Sequence, residues 1–295
     1  MRAFVTGASG FVGGYLVTHL TGGLGFDVCE YNSDILDKKA LTQALADARP
    51  DYIFHLAAQS SVAESWKNSA LTIDVNIKGT VNILDSVLEL GIKPRILLIG
   101  SGEEYGAPDE QPVTENNSTR PQNIYAATKA CQNMLGSIYA KAHGLNIVMT
   151  RAFNHIGPGQ SETFVVSDFC RQVAQAEKGI HPPVINVGNL AAKRDFSDVR
   201  DVVKAYGTLA QKGDSGQTYN IGSGQAIAIK EILNKILALS SISITVNEDK
   251  QKFRPIDVPV IEADISKIKS ATGWKPQISI DTSIEETLAF WRGMV

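Results

Sequence analysis

Tyr125 and Lys129, in the stretch YAATK, form a pair that can exchange a proton with a substrate oxygen. Residues four apart lie on one face of a helix, so the two side chains would be neighbours. A free phenol has a pKa near 10, whereas a proton donor works best near 7, a difference of about 4 kcal/mol. An ammonium about 4 Å away, at an effective dielectric near 20, supplies about that energy. We therefore expect Lys129 to lower the pKa of Tyr125.

Ser101 follows a predicted strand in LLIGSGEEYG, at the carboxyl end, where open α/β sheets bind their ligands. Its hydroxyl would bond to the same substrate oxygen as Tyr125. A tyrosine and a lysine at this spacing also occur on many solvated helices. The pair therefore indicates catalysis only if the fold brings it to a cofactor.

Three glycines in TGASGFVG, at Gly7, Gly10 and Gly13, lie between a predicted strand and a predicted helix. Glycines at such a turn let a pyrophosphate approach the backbone, and the helix N-terminus then faces the anion. The spacing is GxxGxxG rather than GxGxxG, so a glycine turn that serves only packing is the alternative. A dinucleotide is the ligand that this loop predicts.

The second predicted strand ends in CEYNS, which places Asn32 at its tip. An acid there would bind the ribose hydroxyls of NAD, and a nearby arginine would favour NADP. Neither signal is clear, although Glu30 supplies the acid if the register slips by two residues. Asp34 and Ile35 fit the adenine edge, and Asp37 caps the next helix.

Short apolar runs alternate with amphipathic stretches through the first half, which is typical of a parallel sheet between helices. Expected strands are 2–6, 26–31, 52–55, 95–99 and 146–151, and expected helices are 11–20, 37–48, 75–90 and 125–143. The fold class is α/β, a Rossmann-like doubly wound parallel sheet with a smaller, interleaved C-terminal lobe. We expect residues 1–153 in the dinucleotide domain, with 195–213 returning to it, and residues 154–194 and 214–295 in a substrate lobe.

The composition is that of an ordinary globular enzyme, with 295 residues, 43% hydrophobic, 20% charged and a formal net charge of −3. A small net negative charge does not indicate binding to nucleic acid or to anionic lipid, both of which favour an excess of basic residues. Three cysteines without CxxC or nearby histidine spacing predict free thiols and no metal site. No apolar run approaches a membrane span, and the first strand leaves no room for a signal peptide, so we expect a cytoplasmic protein.

The sequence resembles the extended short-chain dehydrogenase/reductase family almost end to end. The similar blocks are TGASGFVG, HLAAQSSV, VNIKGT, SGEEYG, YAATK, RAFNHIGPGQ, RDFSDVRD and GWKP. Within that family the chain is most similar to the branch that acts on GDP-sugars, which includes a 4,6-dehydratase and a 4-keto-6-deoxy-sugar reductase. The resemblance implies NADP(H) ahead of NAD(H), a GDP-hexose substrate and a homodimer.

The resemblance also implies the site residues, and the catalytic ones are Ser101, Tyr125, Lys129 and Glu103. The expected cofactor-binding residues, besides Tyr125 and Lys129, are Gly7, Ser9, Gly10, Phe11, Val12, Gly13, Asn32, Asp34, Ile35, Leu56, Ala57 and Ala58. The expected substrate-binding residues, besides Ser101 and Glu103, are Ser60, Asn154, Arg194 and Arg254. Guanidinium groups suit the bidentate geometry of a diphosphate, although each arginine could instead form a surface ion pair.

Gly102 separates the two branch activities. The dehydratases take the base and acid of the elimination from the residues directly after the serine or threonine, and here these are Gly102 and Glu103. Glu103 keeps the base, but glycine has no side chain to serve as acid. We therefore expect NAD(P)H-dependent reduction of GDP-4-dehydro-6-deoxy-D-mannose to GDP-D-rhamnose. The alternatives are reduction on the opposite C4 face to GDP-6-deoxy-D-talose, GDP-mannose 4,6-dehydration, and a non-catalytic dinucleotide sensor.

The homodimer expectation rests on the helices predicted at 75–90 and 125–143, which carry apolar residues on more than one face. The family pairs the corresponding helices across a two-fold axis, the commonest symmetry of oligomers. The apolar residues concerned are Ile83, Leu84, Val87, Met134, Leu135 and Ile138.

Overall fold

The computed structural model describes residues 1–253 and 256–295, in which strands and helices alternate. The strands are β1 (Arg2–Thr6), β2 (Asp27–Tyr31), β3 (Tyr52–His55), β4 (Arg95–Ser101), β5 (Ile147–Ala152), β6 (Asn154–Ile156), β7 (Val184–Val187), β8 (Lys193–Asp198), β9 (Thr218–Ile221), β10 (Ala226–Ala228), β11 (Thr245–Glu248) and β12 (Val260–Ile261). The α-helices are α1 (Phe11–Thr18), α2 (Lys38–Ala48), α3 (Val62–Lys67), α4 (Ser69–Ile73), α5 (Gly79–Glu89), α6 (Ile124–His143), α7 (Val165–Glu177), α8 (Val199–Lys212), α9 (Ile229–Ala238), α10 (Ser266–Thr272) and α11 (Ile280–Met294).

The main sheet has six parallel strands in the order β2-β1-β3-β4-β5-β9. Successive side chains point to opposite faces of a strand, so Ala3 and Val5 pack with α1 and α8 while Phe4 packs with α2 and α5. The chain leaves β1 towards β2 and returns on the other side to β3. In open α/β sheets the ligand crevice lies at such a reversal, above the carboxyl ends of the strands.

The expected parallel sheet covered by helices on both faces is confirmed, and its elements lie close to the predicted bounds. The strand at 95–99 extends through Ser101, which is therefore the last residue of β4. The helix predicted at 11–20 ends as α1 at Thr18 and continues as the π-helical turn His19–Gly23. The helix predicted at 75–90 begins as a second π-helical turn, Asp74–Lys78, before α5.

The glycine loop closes tightly on its neighbours. Gly7 has a φ of 70°, and a Cβ there would lie 2.8 Å from the backbone nitrogen of Ala57. A Cβ at Gly13 would lie 2.3 Å from the carbonyl oxygen of Gly7. Both positions therefore require glycine for the strand, the turn and α1 to pack together.

The remaining elements form a lobe with its own core, in which α7, α9 and α11 pack around buried residues of β7. Beside it, β8 pairs with β6, β10 and β12, and β7 pairs with β11. The expectation that all of 214–295 lies in this lobe is wrong in one respect. β9 joins the main sheet beside β5, and Ile268 of α10 is buried in the same core as α8. Because β9 is short and follows a glycine-rich loop, only its pairing assigns it to the sheet.

Candidate active site

A cavity of about 1050 Å³ lies over the carboxyl ends of β1, β3 and β4 and extends into the lobe. Its size fits a dinucleotide with a second ligand, since single drug-sized ligands occupy roughly 300–1,000 Å³. The predicted site residues that line it are Gly7, Ser9, Gly10, Phe11, Val12, Gly13, Leu56, Ala57, Ala58, Ser60, Ser101, Glu103, Tyr125, Lys129, Asn154 and Arg194. The fold therefore brings together predicted site residues that lie as far apart in the sequence as Gly7 and Arg194.

The N-terminus of α1 faces this cavity without a side-chain cap. Its N-cap residue, Gly10, has extended backbone and no capping hydrogen bond. The backbone N–H of Ser9 is held by the side-chain oxygen of Asn32 at 2.9 Å. Uncapped N–H groups and the partial positive charge of a helix N-terminus suit a phosphate anion. The loop therefore fits the pyrophosphate of a dinucleotide.

The residues expected at the adenosine end lie beside the cavity rather than in its lining. Asn32 is turned towards the loop by its bond to Ser9, and Asp34 Oδ1 accepts the Leu36 N–H at 2.9 Å. Ile35 is buried in the core under the sheet and contacts Gly79 closely. Glu30 is exposed near the end of β2. The binding roles of Asn32, Asp34 and Ile35 thus stay predictions.

Tyr125 and Lys129 occupy the first two turns of α6, which Asn123 caps by accepting the Ala126 N–H. The side chain of Ser101 interacts with the hydroxyl of Tyr125. Lys129 Nζ donates to the carbonyl oxygen of Ile99 at 2.7 Å and to Gln132 Oε1 at 3.1 Å. Ser101, Tyr125 and Lys129 therefore all line the same cavity, with the ammonium bonded near the end of β4.

The expected lowering of the Tyr125 pKa is not what this arrangement produces. Burial is the largest cause and raises the pKa of Tyr125 above its ordinary value, while the bond to Ser101 opposes that rise. Burial also lowers the pKa of Lys129 to about 8. The Lys129 ammonium donates to the Ile99 carbonyl instead of to Tyr125. The expected lowering of the Tyr125 pKa was therefore wrong, because residue spacing on a helix does not reveal a competing acceptor on a neighbouring strand.

Glu104, which we did not single out from the sequence, anchors the turn that carries Ser101. It is fully buried and accepts the Ser101 backbone N–H at 2.8 Å, the Asn133 amide at 2.8 Å and Arg151 Nε at 3.0 Å. Ser101 and Glu104 form a capping box around the 3₁₀ turn Gly102–Tyr105. The S-x-x-E spacing was the available sequence signal.

Gly102 faces the ring of Phe153. A Cβ on Gly102 would lie 3.0–3.2 Å from three atoms of that ring, closer than ordinary van der Waals contact. Phe153 is itself buried, so it cannot yield easily. Glu103 is the next residue in the chain. Its Oε2 accepts a hydrogen bond from the side-chain amide of Asn123 at 3.1 Å.

The predicted substrate residues are distributed over both halves of the cavity. Arg194 is buried in the wall, where Nη1 donates to the Val258 carbonyl at 2.6 Å and Nη2 to Asp257 Oδ1 at 2.5 Å. Asn154 starts β6 and is half-buried, and Ser60 follows the loop after β3. Arg254 lies outside the described residues.

Lys252 and Asp168 also line the lobe end of the cavity and were missed by sequence reasoning. Lys252 Nζ bonds to Asp168 Oδ2 at 2.7 Å. The two residues are far apart in the chain and belong to no motif, so no sequence signal pointed to their pairing. In the part of the chain that the structure describes, no cluster of histidine, cysteine, aspartate and glutamate could hold a metal ion. Nor does any described helix have the length and apolar character to cross a membrane.

Comparisons with known proteins give a consistent picture. The family model for GDP-mannose 4,6 dehydratase matches residues 27–287. A GDP-6-deoxy-D-mannose reductase from Pseudomonas aeruginosa is 32% identical over 299 residues, covering 100% of this chain and 98% of that protein. The solved structure of RMD from Pseudomonas aeruginosa with NADPH has a TM-score of 0.91 at 32% identity, covering 100% and 99% of the chains. UDP-glucose 4-epimerase from Thermus thermophilus, solved with NAD, has a TM-score of 0.90 at 26% identity over 100% of both chains.

Proposed function

The chain belongs to the GDP-mannose 4,6-dehydratase family of extended short-chain dehydrogenase/reductases, and we propose that it reduces the C4 ketone of GDP-4-dehydro-6-deoxy-D-mannose to GDP-D-rhamnose with NAD(P)H. The observation that carries the proposal is the placement of Ser101, Tyr125 and Lys129 in one cavity, beside a Gly102 whose Cβ would crowd the ring of Phe153. The full-length likeness to a reductase supports the same assignment.

Reduction requires a hydride at C4 and a proton at the ketone oxygen. A reduced nicotinamide supplies the hydride. Tyr125 donates the proton from its hydroxyl, and Ser101 holds the same oxygen by a second hydrogen bond. The buried ammonium of Lys129 stabilises the phenolate that Tyr125 becomes once the proton has left. Burial raises the pKa of Tyr125, which makes the phenol a weaker acid, so its contribution depends on where its hydroxyl is held relative to the ketone.

The cofactor would lie with its pyrophosphate at the N-terminus of α1 and its nicotinamide end towards Tyr125. The uncapped backbone N–H groups in the first turn of α1 would contact the phosphates, and Ser9 and Gly10 would line the turn beside them. NADP(H) is favoured and NAD(H) is the alternative, since the solved relatives carry NADPH in one case and NAD in the other. Asn32 adds no negative charge that would repel a 2′-phosphate.

The sugar nucleotide would occupy the lobe end of the cavity. Arg194 presents a guanidinium there, held in place by Asp257 and by the Val258 carbonyl. A guanidinium suits a diphosphate, and Arg194 would contact one by exchanging part of its bonding to Asp257. Ser60 and Asn154 would bind the same ligand, and Arg254 is proposed as a second diphosphate contact.

Dehydration of GDP-mannose is the competing activity of the family, and the surroundings of Gly102 argue against it. An elimination needs an acid at the leaving C6 hydroxyl in addition to the base that Glu103 could provide. A side chain at this position would begin 3.0–3.2 Å from the ring of Phe153, so the ring would have to shift to admit it. Glu103 would then orient the sugar through the network that includes Asn123.

The test is to incubate the protein with NADPH and GDP-4-dehydro-6-deoxy-D-mannose and to follow the absorbance of the reduced cofactor. We expect consumption of NADPH and a product whose NMR couplings are those of the rhamno configuration. The talo configuration would assign the opposite C4 face, and no consumption would refute the reductase. In a parallel reaction, GDP-mannose and oxidised cofactor should give no loss of water by mass spectrometry, and such a loss would move the assignment to the dehydratase.

A homodimer is proposed from the exposed face of α6. Met134 and Ile138, four residues apart on that helix, are 58% and 57% exposed. Leu71 of the neighbouring α4 is also exposed, so the apolar surface spans two helices. Of the apolar residues expected at the interface, Ile83, Leu84 and Val87 are instead buried in the core.

We also infer a reducing, cytoplasmic location from the three unpaired cysteines.

A further inference from the structure

Tyr206, in the middle of α8, has a buried hydroxyl that the fold does not satisfy. The side chain is fully buried, and its oxygen has no hydrogen-bond partner within residues 1–253 and 256–295. Leaving a buried hydroxyl unbonded costs folding free energy. Such a group therefore needs an explanation outside the protein's own packing.

The other fully buried tyrosines show what packing alone requires. The hydroxyl of Tyr105 donates to Asn220 Oδ1 at 2.7 Å, and that of Tyr219 accepts the Asp214 N–H at 3.0 Å. Both side chains are as buried as Tyr206, and neither lines the cavity. Tyr206 combines a cavity position with an unpaired hydroxyl.

The position of Tyr206 limits which part of a bound ligand its hydroxyl could contact. It lines the same cavity as the glycine loop and Tyr125, and α8 packs directly against α1, whose N-terminus faces the pyrophosphate position. It also interacts electrostatically with Tyr125. Tyr206 therefore lies in the cavity wall on a helix that packs against α1 and near Tyr125, so a dinucleotide that runs from the glycine loop to Tyr125 would pass close to it.

We propose that the Tyr206 hydroxyl is a hydrogen-bonding group for the nicotinamide half of the dinucleotide cofactor. The inference rests on the dinucleotide assignment of the proposed function. A phenol can donate to a carboxamide oxygen or accept from a carboxamide N–H or a ribose hydroxyl, and the nicotinamide half offers all of these. Binding the cofactor would then satisfy the oxygen that the fold leaves unpaired.

The test compares the wild type with Tyr206→Phe by isothermal titration calorimetry with NADPH and, separately, with 2′,5′-ADP, which lacks the nicotinamide half. We expect the Kd for NADPH to rise about three- to tenfold, as loss of one neutral hydrogen bond implies, and the Kd for 2′,5′-ADP to stay the same. Thermal unfolding without ligand should show no loss of stability, because the removed hydroxyl has no partner to strand.

Tyr219→Phe is the matched control, since it removes a partnered hydroxyl from an equally buried ring outside the cavity. It should lower the melting temperature and leave both Kd values unchanged. Equal NADPH affinity in Tyr206→Phe and the wild type would overturn the inference, as would an equal weakening of 2′,5′-ADP. The proposed function is tested independently by the wild type, because tight NADPH binding without turnover of the 4-keto sugar would refute the reductase alone.

Discussion

At the scale of single residues, the site depends on what surrounds each polar group rather than on the groups themselves. Tyr125 is buried, which raises its pKa, and Lys129 is held by a backbone carbonyl. A raised pKa makes the phenol a weaker acid, so these surroundings do not help it to give up its proton. The reactive step therefore depends on the position of the hydroxyl more than on its acidity.

Tyr125→Phe should reduce kcat for the 4-keto sugar at least a hundredfold, because general acid catalysis contributes roughly 10²–10⁴-fold and only the proton donor is removed. The Kd for NADPH, measured by calorimetry, should stay within about twofold of the wild type. Tyr139→Phe on the same helix removes a hydroxyl bonded to Asp85, away from the cavity, and should keep full activity. A Tyr125→Phe variant with more than a tenth of wild-type kcat would contradict the role.

Asn32→Asp should change the cofactor preference. Aspartate keeps an oxygen that accepts the Ser9 N–H and adds a negative charge at the tip of β2. A carboxylate there favours ribose hydroxyls and repels a 2′-phosphate, so the Kd for NADPH should rise about tenfold or more while that for NADH falls or stays unchanged. Parallel titrations with both cofactors measure the ratio. An unchanged ratio would place the 2′-position away from Asn32.

At the scale of elements, side-chain hydrogen bonds between neighbouring strands, loops and helices fix the relative positions of the elements that line the cavity. Asn76, in the π-helical turn before α5, accepts the Gln59 N–H at 2.8 Å and donates to Thr128 of α6 at 2.9 Å. His55, at the end of β3, bonds to Thr6 of β1 at 2.9 Å and to Thr80 of α5 at 3.1 Å. These contacts connect the loop after β3 to the helix that carries Tyr125.

His55 should make the protein less stable in acid. Burial, with a contribution from the Lys129 ammonium, lowers the pKa of His55 from 6.5 to about 3, so the folded state holds it neutral. Below pH 6.5 the unfolded state binds a proton that the folded state does not, and stability falls as the pH drops towards 3. At pH 5 this group alone should cost about 2 kcal/mol relative to neutral pH.

Urea unfolding of the wild type and of His55→Asn at several pH values measures that contribution. The variant should be less stable at pH 7, because it loses ring packing, but its free energy of unfolding should fall less between pH 7 and 5 by about 2 kcal/mol. Other titrating groups contribute equally to both proteins and cancel in the difference. Parallel pH profiles would show that His55 is not held neutral.

At the scale of the whole molecule, a cavity connects the carboxyl edge of the main sheet to a lobe assembled from distant segments. The lobe has its own core, yet β9 and α10 pack with the main sheet. The chain therefore passes more than once between the sheet and the lobe. The apolar face of α6 lies outside both cores. Exposed apolar patches of this kind are typical of subunit interfaces.

The double variant Met134→Lys, Ile138→Lys should be monomeric, because two charges would be buried in the proposed interface. Size-exclusion chromatography with light scattering should give twice the chain mass for the wild type and the chain mass for the variant. Ile180→Lys, at an apolar residue of similar exposure in the lobe, should leave the dimer intact. A monomeric wild type at micromolar concentration would contradict the homodimer.

The sequence by itself determined the features that depend on neighbours in the chain. The glycine loop, the first five strands and the helix with Tyr125 and Lys129 lie where turn chemistry and hydrophobic periodicity predict them, since both act over a few residues. The capping box at Ser101 and Glu104 was also readable in this way.

Only the tertiary structure decided which side chains from distant segments meet. It alone placed Phe153 against Gly102, the Ile99 carbonyl against Lys129, and Asp257 against Arg194. It also assigned β9 to the main sheet and left the hydroxyl of Tyr206 unpaired in the cavity wall. Such contacts join residues far apart in sequence, and their energies depend on burial and geometry, which no local pattern of residue types records.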